Sequence, residues 1–121
     1  MNQIIITNQN QSFRITISDI KKIDTYCQFQ LSIKSSVFLV STIARAWTEE
    51  WFNWKEGLKE MVEKKVKSIH FSPLGEYWNI LFELKEENII SIKGSISDLE
   101  REQSNLEFGG SISICDLQAA L

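Results

Sequence analysis

The sequence predicts an α+β domain, in which an antiparallel, strongly curled β-sheet of about seven or eight strands forms a meander packed on or around one amphipathic helix. Three observations carry this. Apolar and polar residues alternate with period two before residue 44 and again after residue 68, the mark of half-buried strands. Between residues 48 and 65 the apolar spacing changes to three and four, the mark of a helix with one buried face. The 121 residues hold one Pro and five Gly, with 43% hydrophobic and 24% charged residues, a composition that builds one core and is not disordered or low in complexity. The reading is one domain over 1–121, with strands over about 3–44, a helix over about 48–65 and strands over about 68–115.

The first clear strand carries Phe13, Ile15 and Ile17 on one face and Arg14, Thr16 and Ser18 on the other. The alternation returns after Asp24-Thr25, with Cys27, Phe29, Leu31 and Ile33 opposed to Gln28, Gln30, Ser32 and Lys34. Lys34-Ser35-Ser36 is short enough to close a hairpin. Val37 to Ala44 is apolar on both faces, which predicts a strand covered on both sides or one whose outer face meets the helix that follows. In that helix Trp51, Trp54, Leu58, Met61, Val62 and Lys65 form one stripe. Thr48 is the expected N-cap, Glu49 and Glu50 occupy the first turn where the helix dipole favours negative charge, and Lys64, Lys65 and Lys67 lie at the other end. Gly57 costs on the order of 1 kcal/mol relative to Ala unless close packing on the sheet demands a residue without a side chain.

Four further extended stretches follow: Ser68 to Ser72, Glu76 to Leu84, Asn88 to Ile96 and Leu106 to Cys115. Pro73-Leu74-Gly75, Lys85-Glu86-Glu87 and a polar loop from Ser97 to Asn105 separate them. Trp78, Ile80, Phe82 and Leu84 share a face in the second, Ile90, Ile92, Gly94 and Ile96 in the third, and Leu106, Phe108, Ile112 and Ile114 in the last. Gly109-Gly110 marks a bulge or a bend there.

The same residues exclude several function classes. Thirteen Lys and Arg against sixteen Asp and Glu give a net charge of −3, which lacks the basic footprint of a nucleic-acid binder and makes a basic partner likelier than an acidic one. No apolar run approaches the ~18 residues of a membrane span, and the N-terminus has no basic region of a secretory leader, so a cytoplasmic location without a membrane partner is expected. Cys27 and Cys115 lack the paired spacing of a metal knuckle or a disulfide framework and read as free, buried thiols. His70 is the sole histidine, with no metal-ligand spacing around it and no orienting carboxylate or nucleophile to partner it. It reads as a structural or surface residue, and the chain as a protein without enzymatic activity, cofactor or metal.

Two features remain. Trp47, Trp51, Phe52 and Trp54 crowd the helix start, and because Phe52 points about 100° from the stripe, either the helix is covered on two sides or an aromatic residue is exposed. Exposed, such residues make hot spots for a partner, whereas buried they are simply core. From Glu83 to Glu107, seven carboxylates face three bases, so Asp98, Glu100 and Glu102, in a loop, are candidate contacts for a basic partner, with Glu49 and Glu50 as further candidates.

Phe71-Ser72-Pro73-Leu74-Gly75-Glu76-Tyr77-Trp78-Asn79-Ile80, then Ile92-Lys93-Gly94-Ser95-Ile96-Ser97-Asp98, Leu106-Glu107-Phe108 and Ile114-Cys115-Asp116-Leu117 resemble the C-terminal half of the WapI-type immunity family, as does the upstream helix bearing Phe52 and Leu58. The chain departs from that family's ending with Gly110 in place of a second aromatic residue and with Cys115-Asp116-Leu117 where Asp-Gln is usual. The resemblance implies a small cytoplasmic bacterial protein that binds and neutralises the toxic C-terminal domain of a cognate polymorphic toxin, without catalytic residues. The competing reading from the residues is a small-molecule-binding β-rich module with a Trp-lined pocket.

Overall fold

The period-two segments pair with their sequence neighbours. The computed structural model describes residues 3–72, 78–86, 88–98 and 104–121. Among them, β1 (Gln3–Thr7), β2 (Arg14–Ile23), β3 (Tyr26–Lys34) and β4 (Leu39–Trp47) form one antiparallel sheet in chain order. After α1 (Thr48–Val62), a second antiparallel sheet follows in chain order through β5 (Ser68–Phe71), β6 (Trp78–Leu84), β7 (Ile89–Asp98) and β8 (Ser104–Ser113), and α2 (Ile114–Ala120) ends the fold. The α+β class and the antiparallel meander are as the sequence predicts. The strands are divided between two four-stranded sheets, and a second, short helix joins the first.

The inner faces of the two sheets share one core. Ile15 and Ile17 of β2, Phe29, Leu31 and Ile33 of β3, Ile80 and Phe82 of β6, and Ile90 and Ile92 of β7 are buried together with Trp51, Trp54, Leu58 and Met61 of α1. Phe29 spans the sheets, its ring 6.1 Å from Phe71 and 5.8 Å from Trp78. Register is fixed because a slip by one residue would turn every one of these side chains to solvent. The two-residue turn at Asp24-Thr25 holds Asp24 at φ 54°, a left-handed conformation that Asp tolerates better than most residues. At the other end of β3, the Ser35 N–H donates to the Phe38 carbonyl at 2.9 Å and closes the hairpin into β4.

Several boundaries differ from the sequence reading, each for a local reason. The N-cap of α1 is Trp47, with no side-chain cap; Thr48 is already helical and its N–H donates to the Thr25 carbonyl at 2.9 Å. The helix stops at Val62, before residue 65, because Lys64 takes a left-handed φ of 61°, letting the Lys64 and Lys65 N–H groups close back on the carbonyls of Met61 and Glu60. Lys65 is thus outside the helix and ion-paired with Glu63 at 2.8 Å, whose carboxylate holds the lysine above its ordinary pKa. The last strand ends at Ser113 and not at Cys115. There the Ser113 side chain accepts from the Asp116 N–H at 3.0 Å and the Asp116 carboxylate accepts from the Ser113 N–H at 2.9 Å, a reciprocal cap that starts α2. Cys115, on α2, is therefore exposed, whereas Cys27 is buried.

The glycines of β7 and β8 are explained by crowding. Pairing of Ile92 with Gly110 and of Lys93 with Gly109 is continuous, so no bulge or bend interrupts β8 there. Instead a Cβ on Gly110 would lie 2.5 Å from the Phe13 ring, and one on Gly94 would lie 2.7 Å from the Phe108 ring as well as against the Asn79 carbonyl. Gly57 likewise lets α1 approach β5, a Cβ there meeting Ile69 at 3.1 Å. A side chain there would require Ile69 to give way by a few tenths of an ångström.

Candidate partner-binding surface

β4 is the edge strand of the first sheet, and alternation along it produces two unlike faces. Ala44 and Ala46 point into the core. Leu39, Ile43 and Trp47 point outward and are 68%, 53% and 45% exposed. Val37, in the turn before the strand, is exposed too, as is Phe52 at 57% on the first turns of α1. The expectation that Val37 to Ala44 is covered on both sides, or that its outer face meets the helix, is therefore overturned: α1 packs toward the inner face, and the outer apolar residues stay open. The cost of leaving them open is of order 1 kcal/mol or more for each large side chain, which makes a concentration of them on one strand informative where a scattered one is not.

The aromatic cluster at the helix start divides accordingly. Trp51 and Trp54 are core, with Trp51 5.2 Å from the Phe29 ring and Trp54 stacked on Phe71 at 4.4 Å. Trp47 and Phe52 are surface. Glu49 and Glu50 lie exposed in the first turn of α1, immediately after Trp47, so the apolar strip and two carboxylates adjoin one another in the chain. Both carboxylates sit where the helix dipole favours negative charge.

The predicted acidic loop is placed differently. Asp98 is the last residue of β7, its backbone paired with Ser104 of β8, so the strands take in both ends of the stretch from Ser97 to Asn105 that reads as loop. Glu100 and Glu102 lie outside the described residues.

Two hollows meet at His70, which is exposed on β5. One, of about 260 Å³, lies between α1 and β5 and is lined by Glu50, Asn53, Trp54, Ile69, Phe71 and Ser72 beside His70. The other, of about 360 Å³, opens on the outer face of the second sheet among Asn79, Leu81, Lys93, Ser95 and Glu107. Asn79 donates to Ser95 at 2.8 Å and Lys93 pairs with Glu83 at 3.5 Å, so these polar groups largely engage one another. Sequence reasoning singled out His70 only as a bystander. Its place on a four-residue edge strand beside a helix is a tertiary fact that no spacing in the sequence encodes.

Among the described residues, no polar or charged residue is fully buried, no three His, Cys, Asp or Glu gather in a group able to hold a metal ion, and no helix is long and apolar enough to cross a membrane. Comparison of the chain with protein-family models, with curated proteins and with solved structures finds no match.

Proposed function

We propose that the chain is an immunity protein that binds and neutralises the toxic C-terminal domain of a cognate bacterial polymorphic toxin in the cytoplasm, without a cofactor and without chemistry of its own. The observation that carries this reading is the open apolar strip of Leu39, Ile43 and Trp47 on β4, with Val37 and Phe52 nearby and Glu49 and Glu50 at its end. Large aromatic and aliphatic residues at the centre of a contact supply affinity, while carboxylates at its rim speed the approach of a basic partner. The sequence resemblance to the WapI-type immunity family points the same way. A Trp-lined small-molecule pocket has less support, because Trp51 packs on Phe29 and Trp78 on Phe71, and Trp54, which borders the hollow at His70, is itself stacked on Phe71.

The test is co-expression with the toxin domain encoded beside it. The chain is expected to restore growth and to co-purify with that domain, and a Leu39→Asp, Phe52→Asp variant with an unchanged melting temperature is expected to do neither. Full protection by this variant moves the interface elsewhere, and absence of any complex with the neighbouring gene product ends the reading.

A further inference from the structure

Among the described residues, the hollow between α1 and β5 has an unpaired strand edge as one of its walls. β5 pairs with β6 through a ladder whose phase is set by the Leu84 N–H donating to the Lys67 carbonyl at 2.8 Å, two directly opposed residues in the β5–β6 register. In an antiparallel ladder the bonded pairs alternate, so Ile69 and Phe71 spend their backbone groups on β6, while those of Ser68 and His70 turn toward the free edge. Outside the strand ladders, no backbone hydrogen bond among the described residues takes up the N–H or C=O of His70. On the far side of the hollow stand Glu50 and Asn53 of α1, and further along the helix Gly57 faces Ile69 of β5.

We infer that this edge is a docking groove for an extended, Lys- or Arg-bearing segment of the partner, which adds as a short strand beside β5. The inference rests on the immunity reading for its partner and deepens it by naming how one part of that partner is held. Two outward residues two positions apart, Ser68 and His70, offer the donor and acceptor spacing that an added strand requires. Side chains on such a segment alternate in direction. Those on one side enter the hollow beside Glu50, whose carboxylate selects a basic group, and those on the other lie over the outer face next to His70. The match is one of charge as well as shape: an acidic segment would bring like charges together at Glu50. Four residues of β5 limit the pairing to a few hydrogen bonds, so the groove supplements the apolar strip and does not replace it.

The experiment uses the full chain and a labelled probe peptide, acetyl-Val-Lys-Val-Lys-Val-amide, followed by fluorescence anisotropy and by amide chemical shifts of the protein. Binding is expected, with the largest shifts at Ser68, His70 and Ser72. His70→Pro removes the outward N–H at an edge position that Pro tolerates and is expected to weaken binding by about tenfold or more. His70→Ala keeps the backbone and is expected to stay within about threefold, whereas Glu50→Lys weakens the basic probe. A His70→Pro protein with unchanged circular dichroism that binds like the parent overturns the inference, as does absence of probe binding at about 1 mM. Should His70→Pro not fold, a probe N-methylated at its central residue decides against the parent protein, equal affinity overturning the pairing. Loss of the groove and loss of the immunity reading remain distinguishable. A toxin that binds His70→Pro as tightly as the parent refutes the groove alone, and a peptide that pairs with β5 while no toxin binds refutes immunity alone.

Discussion

The core is built by opposite means in two places. Around Phe29 it is filled: Trp51, Trp54, Phe71, Trp78 and Phe82 stack or abut at ring separations between 4.4 and 6.1 Å. Around Phe13 it is cleared: Phe13 and Phe108 lie 6.5 Å apart with Gly110 and Gly94 beneath them, each holding a place that a methyl group would take. The first region is stable because of atoms present, the second because of atoms absent. Truncation therefore harms the first and enlargement the second, a contrast that substitutions can probe.

The largest effect is expected at Trp51, where replacement by Ala empties an aromatic site and costs about 3 to 5 kcal/mol in chemical denaturation. A variant that keeps its midpoint while losing a partner would place Trp51 in an interface instead. Among the described residues, no hydrogen-bond partner meets the buried indole N–H of Trp54 or of Trp78, so Phe at either position sheds a desolvation cost and loses less than its change in size implies.

Gly110→Ala is expected to cost about 1 to 3 kcal/mol by overpacking against Phe13. Combining it with Phe13→Leu recovers part of that loss, a non-additivity that a double-mutant cycle measures. If the two changes simply add, Gly110 is not making room for that ring.

Lys64→Gly should raise stability by roughly 0.5 to 1 kcal/mol, since Lys64 closes α1 in a left-handed conformation that costs a residue with a Cβ more than glycine. An unchanged or lower melting temperature would show that the lysine side chain compensates. The smallest effect on stability, a few tenths of a kcal/mol, is expected from Glu49→Lys and Glu50→Lys together, through the helix dipole. Their expected effect on a basic partner is a slower association with a weaker salt dependence, as it is for reversal of Asp98, Glu100 and Glu102. Kinetics at two ionic strengths separate the two sets, and the set that leaves association unchanged lies outside the interface.

The cleared region also marks where the sequence was hard to read. Alternation at Ile15, Ile17, Phe29, Leu31, Ile80 and Phe82 named the inner faces directly, because burial on one side imposes period two. Gly109-Gly110 suggested a defect, since the ring that demands Gly110 comes from residue 13, nearly a hundred positions away in the chain. β4 read as covered because its outer residues are apolar, and composition alone does not distinguish a face covered within the chain from one left open. A local signal did exist for α2: Ser113 and Asp116 have the spacing of a capping box, and Ile114 and Leu117 are three apart. Division of the strands into two sheets left no such trace, because each strand looks the same whichever sheet it joins.

The last helix packs on the first strand. Ile6 of β1 and Leu117 of α2, both fully enclosed, are separated by almost the whole sequence, so for this packing loop closure precedes its reward. On a ribosome, the first sheet can pair its hairpins early, yet β1 keeps an uncovered flank until residues 114–120 have emerged. Covering of β1 is thereby tied to the emergence of α2, and removing α2's packing is expected to loosen β1, visible as faster amide exchange there.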